Sequence, residues 1–359
     1  MLRSLRRAAL ASLLSLAAGS LDGPLRADEP TPEAPPVVQF VGRFDTSDPS
    51  GPRFAWSASA ISTRFSGTSV SVRIRDDGTN ELQVLVDGAP RPAVATVPGR
   101  DLYELATGLA PGHHELTISK RTEAVLGEMQ FLGFVPEPGG ALEPPHTKPR
   151  KRRIEFIGDS ITAGYGNEGT SPTCPFSAKT ENEFLTYAAI AARNLKADHV
   201  TLAWSGKTIE GMAQLWDRTL PARADSRWDF GSWVPDVVVV NLGTNDFFRP
   251  DLHEPAFVTP YVALLGQIRT RYPGAFIVCA MGPMVLDTYP PGANNLSRMR
   301  RFLRATVDAV HAQGDRRVAM IEFPVQDPAT SACGFHPSLR VHRQMARLLT
   351  GEIKRDLRW

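Results

Sequence analysis

The segment Ile154–Gly166 reads IEFIGDSITAGYG, and its character changes abruptly at Gly158. The largely apolar residues before Gly158 are typical of a strand buried in a sheet. The residues after it are small and flexible, so a strand ending here would deliver Ser160 at its exposed end. We therefore take Ser160 as a candidate nucleophile. Taken alone, a serine at this position fits the N-cap of a helix equally well.

Further short apolar runs follow in the C-terminal part of the chain. Continuous apolar runs suit strands that are buried on both faces, and a helix-like segment such as residues 181–195 lies between them. This alternation predicts a parallel sheet covered by helices on both sides, which is an α/β domain over residues 153–359. The runs are DHVTLAWSG, DVVVVNLG, AFIVCAMG and RVAMIEF.

Residues 37–135 have a different pattern. Apolar and polar residues alternate in TSVSVRIRD, ELQVLVDG and HHELTISKR, and turn signals separate these segments. The pattern predicts an antiparallel β-sandwich. The proline-rich segment 28–36 before it predicts an extended tether. The segment 136–152 after it is rich in proline and glycine and predicts an interdomain linker.

Residues 1–27 have the layout of a secretory signal peptide. Three arginines precede the apolar run Ala8–Ala18, which is too short to span a bilayer comfortably. We expect cleavage of this signal and a secreted or periplasmic protein without stable membrane insertion; an uncleaved anchor is the alternative. The net charge of +2 over 359 residues is too balanced for a dedicated nucleic-acid binder.

Other strand ends carry chemistry that complements Ser160. Ligands bind beyond the carboxyl ends of the strands in open parallel sheets. Gly206 follows the second apolar run, Asn245 follows the third, and His336 lies just ahead of a helix-like segment near the end of the chain. We therefore expect these residues to converge at one edge of the sheet.

Together, these residues supply the parts of an acyl-transfer site. Ser160 would attack a carbonyl carbon, and His336 would take its proton and pass it to the leaving alcohol. The backbone N–H groups of Ser160 and Gly206 and the side-chain amide of Asn245 would form the oxyanion hole. Gly206 and Asn245 could instead merely end a strand and a turn.

The chain contains three cysteines. Cys279 lies in an apolar run and is predicted to be a buried small side chain, whereas Cys174 and Cys333 lie in loops. Export makes one disulfide possible, and these two are the expected pair. Neither a CxxC spacing nor a His/Cys cluster with metal-ligand spacing occurs in the sequence, so we expect no metal.

The segments GDSITAGYG, WSGKT, GTND and HPS resemble, in order, the conserved blocks of the SGNH or GDSL-type hydrolases. Three longer segments, GRFDTSDPSGPRFAWSASAISTRFSGTSVSV, CPFSAKTEN and FHPSLRVHRQMA, resemble carbohydrate esterase family two. The resemblance covers nearly all of the chain after the tether.

The resemblance implies a jelly-roll-like sandwich joined to a flavodoxin-like, three-layer SGNH domain that removes acetyl groups from plant polysaccharides such as xylan or glucomannan. It implies a serine acyl-enzyme, without a cofactor, and an acetylated polysaccharide or oligosaccharide as the partner. The alternatives are an esterase or lipase acting on another ester, such as O-acetylated peptidoglycan, and a carbohydrate-binding protein whose catalytic centre has decayed.

One position departs from the family pattern. Most SGNH enzymes have an aspartate three residues before the histidine, where this chain has Cys333. We expect a backbone carbonyl to hold the imidazole of His336, as is thought to occur in some members of the resembled family. The alternative is recruitment of Asp327 from upstream as the orienting acid.

Overall fold

The computed structural model describes residues 36–146, 150–249 and 251–359. The predicted signal peptide, 1–27, lies outside the described residues, and so does the predicted tether, 28–36, except for its last residue. Within the described part of the chain, we find no helix with the length and apolar character needed to cross a membrane.

The N-terminal part is an antiparallel β-sandwich, called the sandwich domain below. Its ten strands are β1 (Val38–Val41), β2 (Arg53–Phe54), β3 (Ala60–Ser66), β4 (Val70–Asp76), β5 (Glu81–Val86), β6 (Ala89–Ala95), β7 (Leu102–Ala106), β8 (His113–Lys120), β9 (Met129–Pro136) and β10 (Leu142–Glu143). One sheet has the order β1-β3-β8-β5-β6, with β10 also paired to β3, and the other has the order β2-β9-β4-β7. Strand β10 lies inside the segment that the sequence predicted as a linker.

Alternation along the strands explains the sandwich. In β4, Val70, Val72 and Ile74 are buried, while Arg73 and Arg75, on either side of Ile74, are exposed. Side chains on a strand point alternately to opposite faces, so such a pattern presents one apolar face to the other sheet. The inner faces form one apolar core that includes Phe65, Leu116 and Phe131.

The C-terminal part is an α/β domain built on a parallel sheet. The strands are β11 (Arg152–Gly158), β12 (Ala197–Ala203), β13 (Val237–Asn241), β14 (Phe276–Met281) and β15 (Val318–Glu322), in the order β12-β11-β13-β14-β15. The helices are α1 (Ser160–Ala163), α2 (Tyr187–Leu195), α3 (Ile209–Ala213), α4 (Glu254–Arg271), α5 (Asn295–Ala312) and α6 (Leu339–Leu357). The predicted fold class is confirmed.

Helices cover both faces of the parallel sheet. Residues of α2 and α6 pack with alternate strand residues such as Phe156 and Val239, and residues of α3, α4 and α5 pack with their neighbours Ile157 and Val240. The chain continues from β11 to β12 on one side of it and then crosses to β13 on the other side, so the order of the strands reverses at β11. Such a reversal opens a crevice at the carboxyl ends of the strands, which is where this fold class binds ligands.

The two domains share a buried boundary. Trp56 and Ala124 of the sandwich domain belong to the same apolar cluster as α3, α4 and α5. Arg43 of the sandwich domain donates to Glu155 of β11 at 3.1 Å, and both side chains are buried. Trp216 and Tyr272 also donate to this carboxylate, at 2.9 and 3.1 Å. Because a buried charge left without a partner is costly, this network holds the domains in one arrangement.

Candidate active site

Ser160 lies in a sharp turn from β11 into α1. Asp159 caps the helix, since its Oδ1 accepts the Ile161 N–H at 3.0 Å. A Cβ atom at Gly158 would lie 2.1 Å from Oγ1 of Thr162, so the turn requires glycine there. The turn leaves the Ser160 hydroxyl at the carboxyl end of β11, where 8% of the residue is exposed.

His336 lies beside this hydroxyl although 176 positions separate the two residues. Its Nε2 is 2.8 Å from Oγ of Ser160, and its Nδ1 is 3.0 Å from the carbonyl oxygen of Gly334. A carbonyl oxygen can only accept, so Nδ1 carries the proton and Nε2 is left to accept from the hydroxyl.

The surroundings of His336 favour its neutral form. Burial lowers the pKa of this imidazole to about 4, although the bonds to backbone carbonyls oppose the shift. The ring of Tyr165 packs against the imidazole with 4.2 Å between centroids, and Phe176 stacks on the other side of Tyr165 at 4.4 Å. A neutral, fixed imidazole is suited to act as a general base. Sequence reasoning missed Tyr165, although it lies in the quoted segment.

Two of the three predicted oxyanion donors have no acceptor in the described part of the chain. The backbone N–H groups of Ser160 and Gly206 form no hydrogen bond within the described residues. Gly206 has a φ of 76°, and a Cβ atom there would meet nothing within 4 Å. Its backbone can therefore approach a ligand without obstruction.

Asn245, the third predicted donor, is already hydrogen-bonded. Its Nδ2 donates to the carbonyl oxygen of Lys207 at 3.0 Å and to Oδ2 of Asp159 at 3.3 Å. Burial, followed by the nearby charge of Asp246, raises the pKa of Asp159 to about 7. The longer of the two bonds is the weaker, so a ligand oxygen could replace Asp159 as the second acceptor.

Asp327 does not take part in this arrangement. Its Oδ1 accepts the Ala329 N–H at 2.9 Å and caps a short 3₁₀ helix, Pro328–Thr330. The structure therefore does not place Asp327 as an orienting acid at His336. The carbonyl of Gly334 lies next to Nδ1 of His336 instead, because a turn at Cys333–Phe335 folds this carbonyl back onto the ring.

A disulfide links Cys174 to Cys333, while Cys279 is a buried free thiol. The bridge ties the loop that follows Ser160 to the turn that carries Gly334. Gly166 packs against Cys333, since a Cβ atom added there would lie 2.7 Å from the Cβ of Cys333. The bridge therefore restrains the histidine relative to the serine.

A largely apolar cavity of about 830 Å³ borders the site. It reaches Thr244, which precedes Asn245, and Gly334. Three aromatic side chains of its wall are unusually exposed: Phe248 by 72%, Tyr289 by 69% and Phe335 by 51%. Exposed apolar surface of this kind is typical of ligand-binding grooves.

Two family models match the chain. Residues 40–145 match the carbohydrate esterase 2 N-terminal domain, and residues 156–344 match the GDSL-like lipase/acylhydrolase family. The two matches correspond to the sandwich domain and to most of the α/β domain.

Named relatives agree with these models. The chain is 45% identical to the cellulase/esterase CelE of Acetivibrio thermocellus over 343 residues, which cover 92% of this chain but only 41% of that protein. It is 29% identical to an acetylxylan esterase/glucomannan deacetylase of Cellvibrio japonicus, with 96% and 97% of the two chains covered.

A solved structure extends the likeness to the whole described fold. The family two carbohydrate esterase from Clostridium thermocellum, solved with cellohexaose, superimposes with a TM-score of 0.85 at 43% identity. The match covers 90% of this chain and 99% of that one. The chain therefore belongs to the GDSL-like acylhydrolases and, among them, to family two of the carbohydrate esterases.

Proposed function

We propose that this protein removes O-acetyl groups from hemicellulose-type polysaccharides such as xylan or glucomannan. The observation that carries the proposal is the 2.8 Å contact between Oγ of Ser160 and Nε2 of His336. A hydroxyl next to a neutral, oriented imidazole is the arrangement that activates a serine as a nucleophile.

In the proposed mechanism, Ser160 attacks the acetyl carbonyl carbon while its proton moves to Nε2 of His336. The imidazolium then gives that proton to the sugar oxygen as the C–O bond breaks, which leaves an acetyl-enzyme. Water attacks the acetyl-enzyme by the same route and releases acetate. The carbonyl of Gly334 accepts from Nδ1 throughout and stabilises the imidazolium.

The tetrahedral intermediate carries its negative charge on the former carbonyl oxygen. The N–H groups of Ser160 and Gly206 are available to donate to this oxygen, and Asn245 would add a third bond by releasing Asp159. Each such donor contributes roughly a hundred- to a thousandfold in rate.

Two observations support a sugar ester as the substrate. One relative is named an acetylxylan esterase/glucomannan deacetylase, and the solved relative was obtained with cellohexaose. The exposed rings of Phe248 and Tyr289 also offer flat apolar surfaces on which the C–H face of a sugar ring can pack.

Export of the protein is part of the proposal. The signal-like residues 1–27 support it, and so does the disulfide, because disulfides persist in oxidising compartments outside the cytosol. N-terminal sequencing of the mature protein, recovered from periplasm and medium, tests cleavage and destination together.

The deciding experiment is acetate release from acetylated xylan, acetylated glucomannan and O-acetylated peptidoglycan, with the Ser160→Ala variant as the control. We expect release from one of the plant polysaccharides and almost complete loss in the variant. Release from peptidoglycan alone, or a preference for long-chain nitrophenyl esters, would contradict the proposed substrate. Glycan binding without any Ser160-dependent turnover would identify a binding protein instead.

A further inference from the structure

Glu123 of the sandwich domain contacts the loop that carries Gly206. It lies between β8 and β9 and is only 1% exposed. Its Oε2 accepts the backbone N–H of Ser205 at 2.5 Å, and its Oε1 accepts the Ser205 hydroxyl at 2.5 Å. Ser205 immediately precedes Gly206, so one carboxylate holds both the backbone and the side chain of the preceding residue.

This contact lies next to the peptide group that carries the Gly206 N–H. That N–H belongs to the peptide group between Ser205 and Gly206. Because glycine has no Cβ atom, this group can turn easily, and φ at Gly206 is 76°. Two bonds from Ser205 to one buried carboxylate restrain the residue on one side of this group. On the other side of Gly206, the Lys207 carbonyl accepts from Asn245 at 3.0 Å, so the loop is held at both ends.

Glu123 is itself held by buried partners. Nζ of Lys120 donates to the carbonyl oxygen of Glu123 at 2.9 Å, and the Glu123 N–H donates to Oε2 of Glu181 at 3.0 Å. Lys120 and Glu181 are fully buried. A second carboxylate at this depth is costly unless it is paired, and the buried ammonium of Lys120 lies close to both carboxyl groups.

We propose that Glu123 is a positioning residue that aims the Gly206 N–H into the oxyanion hole, so that the sandwich domain completes the acyl-transfer site. This inference rests on the proposed function, because it requires Gly206 to donate to an oxyanion. Glu123 acts through Ser205 and does not touch the substrate.

Three single variants test the inference in the full chain, with a small acetyl ester as substrate. Glu123→Ala should lower kcat about 10- to 100-fold with KM changed by less than about threefold, since the oxyanion forms only after binding. Glu123→Gln should stay within about fivefold of the wild type, because its carbonyl oxygen still accepts the Ser205 N–H and its amide can donate to the hydroxyl. Ser205→Ala should lower kcat several-fold.

Trp56→Phe is the matched control. It removes a different bond across the domain boundary, from Nε1 of Trp56 to the carbonyl oxygen of Arg218 at 3.1 Å. We expect it to lower the melting temperature and leave kcat unchanged. The inhibition constant of methylboronic acid, which forms a tetrahedral adduct with a reactive serine, should rise in Glu123→Ala in proportion to the loss of kcat.

The double variant Glu123→Ala/Ser205→Ala separates positioning from general destabilisation. The effect of Ser205→Ala should disappear in the Glu123→Ala background, because the two residues act through one contact. Additive effects, or an unchanged kcat in both single variants, would overturn the inference and leave a Ser160-dependent esterase intact. Should Glu123→Ala not fold, Ser205→Ala and Glu123→Gln decide. A several-fold loss of kcat in Ser205→Ala, with kcat of Glu123→Gln within about fivefold of the wild type, would support the inference, and an unchanged kcat in Ser205→Ala would overturn it. A wild type without acetylesterase activity would overturn the proposed function and this inference together.

Discussion

The carbonyl oxygen of Gly334 lies 3.0 Å from Nδ1 of His336, on the ring nitrogen that does not face Ser160. This carbonyl has the place that a carboxylate has in a Ser-His-Asp triad. The backbone can thus select the tautomer of His336 without a neighbouring negative charge.

Asp327→Ala should leave kcat/KM within about threefold of the wild type. Its carboxylate caps a 3₁₀ helix, so we expect a modest loss of stability, about 1 kcal/mol, and no loss of orientation at His336. Gly334→Ala is the contrasting variant and should lower kcat/KM, since it adds a side chain at a φ of 60° and 3.4 Å from Nδ1 of His336. Steady-state kinetics of both variants decide. If kcat/KM of Asp327→Ala falls by roughly ten-thousandfold, as when the aspartate of a Ser-His-Asp triad is disabled, then the carboxylate orients the histidine after all.

Activity should persist into acid solution. In the proposed mechanism, His336 must be neutral to accept the proton from Ser160, and burial lowers its pKa to about 4. As pH falls, kcat/KM should therefore remain near its plateau through pH 6.5, the ordinary value for histidine, and fall only on approaching pH 4. Acetate release measured across this range provides the profile. An acid limb centred near pH 6.5 would contradict the account of a desolvated imidazole.

If Asn245 donates to the oxyanion as proposed, Asn245→Ala should lower kcat by roughly a hundred- to a thousandfold, with a much smaller change in KM, because such a donor acts on the transition state. The measurement is a full Michaelis curve on a small acetyl ester. The melting temperature of the variant serves as the control, since the bonds to Lys207 and Asp159 are lost as well. A kcat within threefold of the wild type would confine Asn245 to tethering its two partners.

Reduction of the disulfide should destabilise the protein. Cys174 and Cys333 are 159 positions apart, and removing a native bridge typically costs about 2–5 kcal/mol. Melting temperatures with and without reductant, for the wild type and for Cys174→Ser/Cys333→Ser, provide the comparison. Reductant should lower the melting temperature of the wild type only. An equal response of both proteins would mean that the bridge does not form.

Polymer binding should depend on the exposed rings beside the cavity. Phe248→Ala and Tyr289→Ala should raise KM for acetylated polysaccharide about three- to tenfold, since each removes apolar surface worth about 1 kcal/mol or more in contact with a sugar. The same variants should leave hydrolysis of a small acetyl ester unchanged, which is their internal control. Equal effects on both substrates would assign the rings to the acyl side of the site.

Much of this protein was predictable from local pattern. Alternation of apolar residues predicts the sandwich strands, and short apolar runs predict the strands of the parallel sheet, because burial on one face or both leaves a direct trace in the chain. Ser160, Gly206 and Asn245 could be singled out because each follows such a run, and strand ends of one parallel sheet meet at one edge.

Other features depended on packing between distant segments. Neither Gly334 as the partner of His336 nor Tyr165 against its ring has a signature in spacing, since both depend on how one turn folds. The hydrogen bonds that Asn245 forms with Lys207 and Asp159 could not be predicted from the sequence either, because these two residues approach it from two other strand ends.

The sequence by itself therefore determined the two architectures, the candidate nucleophile and its base, since periodicity and residue chemistry are local properties. Only the tertiary structure decided that a carbonyl and not Asp327 holds the imidazole, and that Glu123 reaches Ser205 from the other domain. Contacts between residues 82 positions apart arise from the packing of two domains, and no window of sequence contains that information.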